Sequence, residues 1–132
     1  MTSTQQLEAH VLQAAHDLVA AFARTDTEAY FAAFSEDATF LFHTLPSPLL
    51  SRAAYRKVWD GWLADGFAVL DCQSTRAQVR LLGDMAIFMH DVATRIRFGT
   101  EESQFEERET IVFRRDGERW LACHEHLSTY TG

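Results

Sequence analysis

Arg114-Arg-Asp-Gly-Glu-Arg-Trp-Leu-Ala-Cys-His-Glu-His-Leu-Ser128 is the stretch on which the reading of this chain turns. Strand-like alternation leads into it from Gln104, Asp116-Gly117 has the composition of a tight hairpin turn, and a second alternating run follows. On an extended strand, side chains two apart share a face, so Trp120, Ala122, His124, His126 and Ser128 are expected to point the same way. Whether the two histidines face a pocket, a packed core or a partner decides what the protein does.

The totals bound the answer. With 132 residues and 47% hydrophobic content, the chain fits a single domain over residues 1–132 with a core of useful size. Nineteen acidic against twelve basic residues give a formal charge of −7, without a lysine or arginine run. That balance argues against nucleic acid or an anionic membrane as partner and points to a small molecule or another protein. No apolar run approaches the ~18 residues of a membrane span, and Met1-Thr-Ser-Thr-Gln-Gln lacks the features of a signal peptide, so a cytoplasmic location is expected. Cys72 and Cys123 are too few for a disulfide framework and not spaced as a metal knuckle or redox pair; both are expected to be reduced and uninvolved in catalysis. No cofactor is expected.

Upstream of the hairpin, Leu7, Val11, Ala14, Leu18 and Phe22 recur at helical spacing, predicting an amphipathic helix from about Thr4 to Arg24 with His10 facing solvent. Thr25 and Glu28 fit a capping box for a short second helix carrying Tyr30, Phe31 and Phe34. Ala38 to His43 reads as a strand, Leu45-Pro-Ser-Pro48 breaks regular structure, and Ser51 caps a third helix ending before Gly66. Tyr55, Trp59 and Trp62 form a stripe on that helix, which either packs on the sheet or roofs a cavity. Long strands then run from Phe67 to Leu82 and from Met85 to Phe98, with a polar loop over Thr100–Ser103 before the hairpin. Helices followed by a strand meander make an α+β domain whose curved antiparallel sheet wraps the helices. Its outer face, expected to carry Val79, Leu81, Leu121 and Leu127, favours a homodimer paired sheet to sheet.

The helix pair, short strand, third helix and meander resemble the cone-shaped, cystatin-like fold of nuclear transport factor 2, ketosteroid isomerase and the polyketide cyclase SnoaL. The hairpin itself, with Trp120, His124, His126 and Ser128 after Arg114-Arg-Asp-Gly117, resembles the end of the association domain of calcium/calmodulin-dependent protein kinase type II and its bacterial stand-alone relatives. The resemblance implies a dimer or larger ring with a cavity between sheet and helices. It implies no single reaction, because this superfamily holds isomerases, dehydratases, cyclases, hydrolases and non-catalytic assembly domains. Tyr30 lies near the position of the isomerase tyrosine, but Asp37 sits in a Ser-Glu-Asp turn and reads as a solvated or capping carboxylate, so the isomerase mechanism is not carried over.

The chemistry of the hairpin depends on register. A two-residue Asp116-Gly117 loop sets Glu109 opposite His124 and Glu107 opposite His126; a three-residue loop with Gly117 in a bulge sets Thr110 opposite His124 and Arg108 opposite His126. The Arg-x-Thr pattern of the association-domain relatives, matched by Arg108 and Thr110, favours the second. Three readings compete. His124, His126 and Arg108 form the catalytic or binding end of an aromatic pocket walled by Tyr55, Trp59 and Phe42, with Thr110 and Trp120 beside them. A metal reading takes Glu109 or His43 as third ligand, and no metal is favoured because that ligand is not fixed. A structural reading has the histidines in a polar network. The expectation is a small-molecule pocket for an apolar compound with a carbonyl or carboxylate, capable of cofactor-free isomerisation, dehydration or hydrolysis. The alternative is a non-catalytic association domain with a vestigial pocket.

Overall fold

In the computed structural model, which describes residues 3–131, three helices lie against one face of a five-stranded sheet. Helix α1 (Thr4–Ala23) starts at a capping box in which Ser3 and Gln6 satisfy each other's backbone amides. Its Val11, Ala15, Leu18 and Ala21 form the buried stripe, as the helical spacing predicts. Helix α2 (Thr27–Ala32) is capped by Asp26, which accepts from the Ala29 amide at 3.3 Å. The expected cap, Thr25, has another task. At φ +54° it turns the chain, and its hydroxyl accepts the Val69 amide at 2.8 Å, tying the α1–α2 corner to the sheet.

Strand β1 (Phe34–Phe42) starts earlier than its aromatic run suggests, and α3 (Arg52–Ala64) is capped by Ser51 as predicted. Then come β2 (Phe67–Leu82), β3 (Met85–Phe98), β4 (Glu101–Asp116) and β5 (Arg119–Thr129). The stretch read as a loop, Thr100–Ser103, is mostly strand: Glu101 to Ser103 pair with Ile96 to Phe98. Sheet order is β1-β5-β4-β3-β2, an antiparallel meander to which β1 adds a parallel edge on β5. No helix among the described residues is long and apolar enough to cross a membrane.

Three one-residue slips in register bend this sheet and decide which side chains face the helices. On β2, pairing steps past Leu70 and again past Arg76-Ala77; on β5, Val112 pairs with His124 and Phe113 with Ala122, so Cys123 is an extra residue. Each slip reverses the alternation of faces beyond it and sharpens the local bend. The outer-face expectation is corrected accordingly. Val79, Leu81 and Leu127 pack against the core on the helical side, because each lies beyond a slip. Leu121, before the slip on β5, pairs with Arg114 and keeps the outer face.

The core is aromatic. Tyr30, Phe31, Phe34, Phe40, Tyr55 and Trp59 interlock with ring centroids 4.6–6.3 Å apart, mostly tilted or edge-on. Trp59, fully buried, donates its indole N–H to Thr27 at 2.9 Å, so α3 is anchored to α2 through a satisfied polar atom.

Candidate active site

A cavity of about 280 Å³ opens between the sheet, α1 and α3. Its walls are apolar and aromatic, with Phe22, Phe42, Tyr55, Trp62, Phe98 and Leu127 among them. Its polar lining is acidic: Glu107, Glu109 and Glu125 face inward, and no lysine or arginine lines it among the described residues. Glu107 and Glu109 alternate inward along β4 with Phe105 and Ile111. Glu125 faces inward only because of the extra residue at Cys123; without that slip, His124 and His126 would take its side of the strand.

Each carboxylate has a different setting. Glu107 accepts from or donates to His43 Nε2 at 2.5 Å; burial raises its pKa, and His43 opposes the rise. Glu109 Oε1 lies 2.6 Å from Nε2 of the buried His90. Glu125 is 3% exposed, and its Oε2 is buried without a hydrogen-bond partner among the described residues. Burial first, and then the neighbouring Glu109 and Glu107, hold its carboxyl well above the usual range, so it keeps its proton where an exposed glutamate loses one. A buried acid with one oxygen unpaired costs free energy.

The aromatic layer supplies the other donors. The Tyr30 and Tyr55 hydroxyls lie 3.0 Å apart, both rings buried and both lining the cavity. Burial, reinforced by Glu125, pushes both phenols well above their ordinary value, so they are neutral hydroxyls. One donates to the other, leaving one O–H for a ligand. Burial likewise pushes the Cys72 thiol up to about 11, making it a wall group and not a nucleophile.

The residues expected to form the site divide. Phe42 and Tyr55 line the cavity; Trp59 stands behind the lining, in the aromatic layer. Trp120 is buried elsewhere, at a shallow groove with His10, Ala14 and Ala33. The two anticipated registers are both replaced: Thr110 faces His126, Arg108 faces Ser128 and Val112 faces His124. His124, His126, Arg108 and Thr110 therefore lie on the outer face, away from the cavity. There His124 Nδ1 lies 2.7 Å from the Thr39 hydroxyl, while Arg108 donates to Asp91 at 3.1 Å and stacks 4.0 Å from the Tyr130 ring centroid. The proposed third metal ligands are engaged elsewhere, His43 with Glu107 and Glu109 with His90. Among the described residues, no three His, Cys, Asp or Glu side chains converge as a metal site requires. Asp37 is an exposed surface carboxylate, held down to about 2 by hydrogen bonds from Arg114 and Ser35.

The sequence model of the SnoaL-like domain matches residues 11–131. The chain belongs to the SnoaL-like domain family. No curated protein sequence matches it. Among solved structures, this SnoaL-like chain is similar to a Novosphingobium aromaticivorans protein provisionally assigned as a scytalone dehydratase, with TM-score 0.84 and 17% identity over 99% of this chain and 89% of that one. It is similar to the association domain of C. elegans calcium/calmodulin-dependent protein kinase II, with TM-score 0.75 and 18% identity over 98% and 100%. A ketosteroid isomerase-like protein from Erwinia carotovora atroseptica gives TM-score 0.76 and 15% identity over 95% and 97%. At these identities the likeness is one of fold.

The acid at the centre of this SnoaL-like cavity makes stability depend on pH in a defined direction. The unfolded chain releases the Glu125 proton in the ordinary carboxylate range and the folded chain only at higher pH. Stability from this group is thus full in acid and is lost as pH rises through the folded value. Glu125→Gln is expected to gain stability over the native chain at about pH 8 relative to about pH 4 in urea unfolding; an equal difference at both pH values would contradict the assignment.

Proposed function

We propose that this protein is a cofactor-free proton-transfer enzyme, an isomerase or dehydratase, for a small and largely apolar molecule bearing a carbonyl or hydroxyl group. The unpartnered oxygen of buried Glu125, inside an apolar cavity that also holds the Tyr30–Tyr55 hydroxyl pair, carries this reading. Protonated Glu125 and the tyrosine pair would donate hydrogen bonds to the oxygen on which charge develops, in a water-poor setting where such donors are strongest. Glu109, oriented by His90, would act as base. The acidic lining favours the carbonyl over the carboxylate among the expected ligands, since a carboxylate would meet like charge without a cation. The dehydratase and isomerase-like descriptions of the similar structures support this class of chemistry. Because it needs neither secretion nor a membrane, a cytoplasmic location is part of the proposal.

A second reading rests on the outer sheet face. Thr39, His124, Val112, Ile87 and Arg80 form one row across the strands, and Leu41, His126, Thr110, Met89 and Gln78 the next. Leu41 and Met89 are about 40% exposed, a mixed apolar and histidine surface suited to a second copy of the chain. We propose a homodimer through this face, with Arg108, His124 and His126 serving assembly instead of catalysis. The likeness to an association domain supports it. Should the cavity prove inert, assembly would be the protein's whole function.

2-Naphthol, an apolar aromatic hydroxyl, is the probe for the first reading. It should bind the native chain, more tightly than 2-naphthoate, with affinity falling roughly tenfold in Tyr55→Phe or Glu125→Ala for the loss of a buried hydrogen bond. Tighter binding of the naphthoate, or no binding of either, would contradict it. For the dimer, sedimentation of Leu41→Glu and Met89→Glu should show monomers with native circular dichroism; variants that still sediment as dimers would place the interface elsewhere.

A further inference from the structure

His90 does not line the cavity, yet it is joined to it. It is 2% exposed, and both ring nitrogens are engaged: Nε2 lies 2.6 Å from Glu109 Oε1 and Nδ1 lies 2.5 Å from the Ser74 hydroxyl. Glu109 is its direct cross-strand partner on β4, while Ser74 lies on β2, the strand at the open edge of the sheet. Ser74 is exposed to solvent. With Glu125 on β5, four consecutive strands each contribute one polar side chain to a row crossing the inner face, beside Glu107 and Thr94. Ser74 owes its place in it to the first register slip on β2 and Glu125 to the slip on β5.

We propose that the row Ser74–His90–Glu109 is a proton path between bulk water and the carboxylates of the cavity. The inference rests on the reading of Glu109 as the cavity's base. A histidine buried for packing alone needs only that its N–H be satisfied, which any backbone carbonyl does. Here both partners can give as well as accept a proton, a hydroxyl on one side and a carboxyl on the other. The row also solves a problem posed by the cavity. Once an apolar ligand fills it, water is displaced from Glu109 on the cavity side, where Glu107, Glu125, the Tyr30–Tyr55 pair and Cys72 are the other acids lining it among the described residues. A proton that Glu109 takes from the ligand can then leave, or be replaced, through the sheet, as one on Glu107 can through the exposed His43.

The transfers balance. The relay starts from the tautomer in which Nε2–H donates to Glu109 and Nδ1 accepts the Ser74 hydroxyl proton. When a hydronium ion from bulk water protonates Ser74 Oγ and is left as water, the hydroxyl's own proton passes to Nδ1 and the Nε2 proton passes to Glu109. The carboxylate becomes a carboxylic acid, and His90 becomes its other neutral tautomer. The reverse sequence returns one proton to water and restores the first tautomer, so the row exchanges protons with no net change in the chain.

The test reads the path without any substrate, and so stands apart from the naphthol measurement. In protein labelled with ¹⁵N-histidine, exchange of the His90 ring N–H with water is followed by saturation transfer for the native chain, Ser74→Val and Ser74→Thr. Valine, which removes the hydroxyl and matches the shape of the threonine variant, should slow exchange by at least about tenfold, and threonine should restore it. Amide spectra report whether each variant keeps the fold. If valine leaves the exchange rate unchanged in a folded protein, or if threonine is as slow as valine, the path does not run through Ser74. Failure here with naphthol bound normally would leave the cavity reading intact and remove only the relay; loss of naphthol binding with the exchange pattern as expected would do the reverse.

Discussion

The single extra residue at Cys123 governs the site. Alternation on a strand is rigid, so one unpaired residue transfers every later side chain to the opposite face. In this protein it carries Glu125 and Leu127 under the helices and sends His124 and His126 outside. The two slips on β2 act in the same way, giving the inner face Cys72 and Ser74 between the first and second and Val79 and Leu81 after it. Curvature and chemistry thus have one cause. The slips that bend the sheet around the helices also select which polar residues enter the space beneath them.

What those slips place inside is costly. Three glutamates line an apolar cavity, and one of them keeps an oxygen without a partner. Burying acids this way opposes folding unless they are protonated or paired, and the chain uses both remedies, with His43 for Glu107, His90 for Glu109 and retention of the proton for Glu125. The interlocked rings of Tyr30, Phe31, Phe34, Phe40, Tyr55 and Trp59 provide the compensating burial. A surplus of buried acid in one place, held up by an aromatic core in another, is the feature on which the proposed function rests.

Much of this was legible beforehand. Helical spacing gives α1 and α3, Ser51 gives a cap, and Gly83-Asp84 and Asp116-Gly117 mark the turns of the meander. Such signals are local, and local energetics decide them. The register of β5 is set instead by pairing with β4 and β1, to which Cys123 gives no compositional clue. One trace was present: Trp120 and Ala122 keep one phase of the alternation while Leu127 keeps the other, so the apolar phase breaks between them. Read as a bulge, that break would have turned the histidines outward and exposed Glu125 as the inward residue. His90 and Ser74 carry no such trace, because their meeting depends on β2 and β3 lying side by side.

The proposed chemistry requires Glu125 to be a carboxylic acid in the folded protein near neutral pH. Infrared difference spectra between the native chain and Glu125→Gln in deuterated buffer answer this directly. The account predicts that the substitution removes a protonated carboxyl C=O band that persists in the native protein as its other glutamates ionise. Loss of a carboxylate band alone would show an ordinary ionised glutamate and would contradict the account.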